Sequence, residues 1–71
     1  MKPFGEYLRN LRLEQKLSGN QMYRIAGVHR GSLSKYETGI SYPSIPTILV
    51  LAKAYKVKPE SIFTRLKKEL I

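Results

Sequence analysis

The stretch GVHRGSLSKYETG, Gly27 to Gly39, decides how this chain is to be read. Glycines frame it at both ends, and a third, Gly31, stands inside it beside Arg30. Glycine in a helix interior costs roughly 0.5–1 kcal/mol relative to alanine, so Gly31 needs a reason. At about 100° per residue, Arg30, Gly31, Ser34 and Lys35 fall on one arc of a helix, with Leu33 and Tyr36 on the other side. The first arc carries a guanidinium, an ammonium, a hydroxyl and a bare glycine, and no bulky apolar group. It is either an ordinary solvent-facing side or a face that closes on a partner, with Gly31 permitting close approach.

Upstream, Ser18 and Gln21 form a capping-box pattern that opens a short helix, which Gly27 stops after Ala26. Met22, Ile25 and Ala26 are its expected inward positions. A first helix is predicted from Phe4 to Lys16, with Phe4, Tyr7, Leu8 and Leu11 at i, i+3, i+4 and i+7. Downstream, a third helix begins near His29 or Arg30 and ends at Gly39, where a left-handed turn suits glycine. Ser44 caps a fourth helix, Ile45 to Tyr55, and Pro46 falls in its first turn. Ile45, Ile48, Leu49, Leu51, Ala52 and Tyr55 cover more than half its circumference, so it is expected to be the central buried helix. Lys58-Pro59 opens a fifth, with Ile62, Phe63, Leu66 and Leu70 at helical spacing. Tyr7, Tyr36 and Tyr55 sit at core spacing. The expectation is an all-α fold of five helices in one domain, residues 1–71, with helices 2 and 3 forming a helix-turn-helix at about 18–37.

Charge narrows the function. The 71 residues carry 13 Lys and Arg against five Glu and no Asp, for a net charge of +8. Such a potential on a small body favours polyanions, nucleic acid first and anionic membrane second. The cations are spread over several short helices rather than one long face, which argues against a membrane-surface helix. With no Cys, no Asp and one His, the chain offers no nucleophile–base pair, metal cluster or phosphate-binding glycine loop. It is not expected to be an enzyme, and no metal or cofactor is expected. No apolar run approaches the ~20 residues of a membrane span, and the N-terminus lacks the apolar block of a signal peptide. A soluble cytoplasmic protein is expected.

From Leu17 to Ser44 the chain resembles the helix-turn-helix of the phage Cro and repressor family, also called the Xre family. The likeness is carried by Leu17-Ser18, Met22, Gly27-Val28, Ser32-Leu33-Ser34, Glu37-Thr38-Gly39 and Pro43-Ser44. The flanks GEYLRNLRLEQKLS and ILVLAKAYKVKPESIF resemble that family's first and last two helices, so it covers about Phe4 to Phe63. It implies a compact lambda-repressor-like domain that binds double-stranded DNA sequence-specifically and acts as a repressor-like transcriptional regulator. The recognition helix, about 29–38, would lie in the major groove.

Carried over by position, the resemblance assigns base edges to Arg30, Gly31, Ser34 and Lys35. Arg30 is the best candidate for specificity, because a guanidinium can grip guanine O6 and N7 together. Phosphates would fall to Ser18, Asn20, Gln21, Ser32, Thr38, Ser41 and Tyr42. Arg12 and Glu37 match positions that form a structural ion pair in some members. The family's usual mode implies a homodimer on a palindromic or pseudo-palindromic operator. The tail 64–71, with Leu66, Leu70 and Ile71 on one side, is the candidate dimer contact, and a further effector domain or protein partner fits the same pattern. Its place would be a bacterial or phage nucleoid. The alternative is an antitoxin or adaptor that keeps the scaffold for a partner chain.

Three residues depart from the family's pattern. Gly19 stands where many members carry Gln, which leaves a phosphate contact to Asn20 or Gln21. Tyr23 replaces Ala where the two helices cross closely, so its ring is expected to swing outward. His29 replaces the usual Ser or Thr cap and is expected to be a poor cap or a phosphate contact rather than a pH switch.

Overall fold

The computed structural model describes residues 2–71, so the expected domain start at Met1 lies outside the described residues. The chain forms α1 (Pro3–Glu14), α2 (Gly19–Ala26), α3 (Arg30–Thr38), α4 (Ile45–Tyr55) and α5 (Pro59–Leu70). Local chemistry sets most of these limits. Proline occupies the first turn of α1, α4 and α5, where a missing N–H leaves no helical bond unmade. Ser18 and Gln21 close the full capping box on α2, and the Ser44 side chain caps α4. Gly27 and Gly39 end α2 and α3 in the left-handed region, at φ 71° and 84°.

One boundary departs from expectation. α1 stops at Glu14 rather than Lys16, and Lys16 itself takes φ 56°. The chain reverses there: the Lys16 N–H donates to the Leu13 carbonyl at 2.9 Å and the Leu17 N–H to the Arg12 carbonyl at 3.1 Å. The Arg12 guanidinium then donates to the Leu17 carbonyl at 2.8 Å, which holds the turn from the side-chain direction.

Phe4, Leu8 and Leu11 of α1 meet Met22, Val28 and Leu33 of the helix-turn-helix, with Ile48, Leu51, Ala52 and Tyr55 of α4 and Ile62 of α5 completing the core. Tyr7, Tyr36, Phe63 and Leu66 pack around it. Two expectations fail. Ile25 is 59% exposed rather than inward, because Met22 and Ala26 fill the α2 face that meets the core. α4 is likewise buried on one side only. Ile45 and Leu49 are exposed, since α2 and α5 cover the α4 arc that holds Ile48, Leu51, Ala52 and Tyr55. Among the described residues no helix is long and apolar enough to cross a membrane.

The contact that positions α3 is its crossing with α1. A Cβ on Gly5 would be driven into the Glu37 carbonyl oxygen and would stand 2.9 Å from that of Tyr36. The two backbones therefore touch, which only a residue without a side chain permits. Beyond the contact, Arg12 Nε donates to Glu37 Oε2 at 2.7 Å and Nη2 to Oε1 at 3.0 Å. The pair is largely buried, with side-chain exposures of 15% and 9%. Its hydrogen bond raises the Arg12 pKa above its ordinary value, against the opposing effect of burial.

Gly5→Ala is expected to destabilise the domain by about 3 kcal/mol or more, since backbone on both sides cannot yield cheaply. Urea unfolding reads this directly. A midpoint equal to that of the unchanged protein contradicts the close crossing.

Candidate nucleic-acid interface

Leu33 and Glu37 are the buried residues of α3, and Arg30, Gly31, Ser34 and Lys35 all lie on its exposed side. The four share one face. A Cβ built on Gly31 meets nothing within 4 Å, so the fold itself makes no use of the missing side chain. No glutamate lies on this face: the only acid of α3 is Glu37, turned inward onto Arg12. The face therefore offers donors and positive charge, which suits acceptors such as phosphate oxygens and guanine O6 and N7.

At the start of α2, Ser18, Asn20 and Gln21 are exposed. Ser18 Oγ accepts from the Gln21 N–H at 3.1 Å, and Gln21 Oε1 accepts from the Ser18 N–H at 2.7 Å. The Met22 N–H goes to the Ser18 carbonyl at 3.0 Å. This leaves the N–H groups of Gly19 and Asn20 at the positive end of the helix, where an anion is favoured. Gln21 has its oxygen turned to the backbone, so its side-chain NH2 is the end left for a ligand. Gly19 lies against the Arg30 side chain, which brings the α2 N-terminus alongside the first turn of α3.

Several phosphate candidates are placed differently from one another. Ser32 and Ser41 are half-buried. Thr38 is exposed, but its hydroxyl donates to the Ser34 carbonyl at 2.8 Å and so is folded back on its own helix. Tyr42 is half-buried as well: its hydroxyl donates to Glu69 Oε2 at 2.6 Å, and its ring lies 6.0 Å from that of Phe4. In this arrangement its proton is committed to Glu69, not free for a phosphate.

Glu69 is the residue that sequence reasoning missed here. Its second oxygen accepts from the Phe4 N–H at 2.9 Å, a first-turn amide of α1 for which Lys2 provides no side-chain cap. The carboxylate thus ties together the start of α1, the loop after α3 and the last turn of α5. Its partners lie 27 and 65 residues away, beyond any local pattern. The Tyr42 and Phe4 bonds hold the Glu69 pKa below the ordinary carboxylate value, while the bond to Glu69 raises that of Tyr42. Gly5 was also missed, although it shares a helical face with Leu8 and Arg12 at i, i+3 and i+7.

The two aromatic departures meet each other. Tyr23 is 51% exposed, as expected for a ring that cannot fit the crossing. It lies on His29, with ring centroids 4.7 Å apart across the turn. His29 makes no capping bond to α3. Among the described residues no group of three or more His, Cys, Asp or Glu could hold a metal ion.

Comparison with known proteins agrees with this architecture. The profile of a family described as helix-turn-helix matches residues 8–62. A Bacillus subtilis (strain 168) protein named HTH-type transcriptional repressor RghR is 41% identical over 63 residues, covering 87% of this chain and 47% of the relative. RghRB, an uncharacterised HTH-type transcriptional regulator of the same strain, is 40% identical over 63 residues, covering 87% and 45%. The chain thus spans about half the length of these relatives. Among solved structures, the P22 c2 repressor protein in complex with synthetic operator 9T superposes with a TM-score of 0.78 at 24% identity, covering 87% of this chain and 94% of that one. That likeness establishes the fold.

Glu69 gives the loop a pH signature. Because its folded pKa is depressed, its contribution to stability is complete above the unfolded carboxylate value of about 4.3 and drains as pH falls through the folded one. Glu69→Gln is expected to flatten acid unfolding in that window, so that the two proteins converge in stability at low pH. Parallel stability curves from pH 7 down to acid contradict the clasp.

Proposed function

The chain belongs to the helix-turn-helix family, and from that premise we propose that it binds double-stranded DNA sequence-specifically as a repressor-like transcriptional regulator. One observation carries this reading: an exposed face of Arg30, Gly31, Ser34 and Lys35, free of acid, on a helix whose backbone is seated against α1. The net charge of +8 supports it. So do the names of the two bacterial relatives and the operator bound to the P22 c2 repressor.

In this reading α3 enters the major groove. Arg30 takes a guanine edge, Lys35 a second guanine or a phosphate, and Ser34 an adaptable contact. Gly31 lets the helix backbone approach the base pairs. The free N–H groups of Gly19 and Asn20, with Ser18 and the Gln21 amide, seat a phosphate at the start of α2. Ser32 and Ser41 supply flanking phosphate contacts, and Thr38 and Tyr42 do so only after releasing their present partners. The protein acts in the cytoplasm as a homodimer on paired half-sites. Leu70 and Ile71, 58% and 94% exposed, are the dimer contact, whereas Leu66 packs into its own core.

Selection from a randomised duplex pool at near-physiological salt tests the proposal. Enrichment of a motif is the expected outcome, with two inverted copies at fixed spacing if the dimer holds. Duplex binding at low salt with no enrichment reduces the basic surface to an electrostatic grip and refutes sequence reading.

Arg30→Ala is expected to cost ~1–3 kcal/mol on the selected duplex and to relax preference at one base pair, read by repeating the selection. Uniform weakening on all sequences demotes Arg30 to a phosphate contact. Gly31→Phe is expected to abolish operator affinity with the melting temperature held, since the fold leaves open space there. Retained affinity contradicts the close approach.

A further inference from the structure

Gly19 is the first residue of α2, and the nearest atoms on its open side belong to one side chain, that of Arg30. A Cβ built there meets Arg30 Cγ at 3.0 Å, Cδ at 3.2 Å and Cβ at 3.8 Å. All three nearest atoms belong to the aliphatic stem of Arg30, and no backbone atom is among them. The stem thus runs across the N-terminus of α2 in the space a side chain would fill. Any other residue at position 19 pushes the stem aside by a few tenths of an ångström or forces another rotamer.

We propose that Gly19 is a specificity-determining residue: its missing side chain is the seat that aims Arg30. The proposal rests on the reading of α3 as the base-contacting helix and adds a determinant outside it.

The physical reason lies in the geometry of guanidinium recognition. A bidentate grip on guanine needs the fork in the plane of the base edge, with both N–H groups in line. Arginine has four rotatable bonds before its fork, and a free stem loses that freedom on binding. A stem already resting on α2 has part of that freedom removed beforehand, and its reach is bounded on one side. Changing residue 19 therefore alters where the fork arrives without altering any group that touches DNA through its own side chain.

Stability does not require glycine at this position. Gly19 takes no positive φ, and alanine is the better helix former. A selection pool and a double-mutant cycle with Arg30 then separate aiming from folding and from backbone contact. Gly19→Ala, Arg30→Ala and the double variant are compared on the duplex selected by the unchanged protein, with melting temperatures recorded for each.

The expected result is a melting temperature for Gly19→Ala that is unchanged or raised, with affinity for the selected duplex lowered about tenfold. Repeated selection with Gly19→Ala should shift or flatten preference at the same base pair that Arg30→Ala flattens. In the Arg30→Ala background the further change at Gly19 should have no effect.

Undiminished affinity and preference in Gly19→Ala overturn the proposal. An equal loss in both backgrounds also overturns it, since the added methyl then acts on the phosphate seat rather than through Arg30. Failure of the unchanged protein to enrich any sequence overturns the DNA-reading proposal, and this one with it, before any variant is compared.

Discussion

α1 and α3 meet backbone to backbone at Gly5, and the orientation of the candidate interface depends on that meeting. α3 has only nine residues and begins without a side-chain cap. A helix of that length is marginal in water by itself, and Gly31 lowers its propensity by about 1 kcal/mol more. Burying Leu33 returns roughly 2 kcal/mol, too little to fix both the existence and the direction of the helix. The seam with α1 supplies the rest. Close backbone contact removes the freedom to slide, and the two-pronged Arg12–Glu37 bond removes the freedom to rotate.

The ion pair is better understood through what it orients than through its strength. Buried pairs rarely beat an apolar pair of the same shape in stability, yet losing one partner leaves an uncompensated charge. Arg12 makes three bonds from one guanidinium, two to Glu37 and one to the Leu17 carbonyl. It therefore joins the end of α1, the turn into α2 and the last turns of α3. The same placement takes the only acid of α3 off its outer face and leaves that face positive.

Much of this fold was legible because its punctuation is local. Ser18 with Gln21, Gly27, Gly39, Ser44 and the prolines at 46 and 59 each act within one helical turn, so helix limits follow from residue types alone. Arg30, Gly31, Ser34 and Lys35 share a side for the same reason: helical period is a local property. Burial is not. Ile25, Ile45 and Leu49 have the spacing of inward residues, but spacing cannot say which arcs neighbouring helices cover. Nor does spacing show that Arg12 reaches the Leu17 carbonyl beyond the end of α1, or that the Tyr42 hydroxyl meets a carboxylate 27 residues later. Gly31 faces open space, whereas added bulk at Gly5 meets backbone.

Glu69 also joins the motions of distant parts of the chain. A fluctuation that lifts the last turn of α5 uncaps the Phe4 amide and frees Tyr42 in one event. The start of α1 and the loop after α3 therefore share one carboxylate anchor. α1 is also the helix against which α3 is seated, so opening at the far end of the chain bears on the interface through its support. Hydrogen exchange at Phe4 becomes a gauge of how often the Glu69 clasp opens.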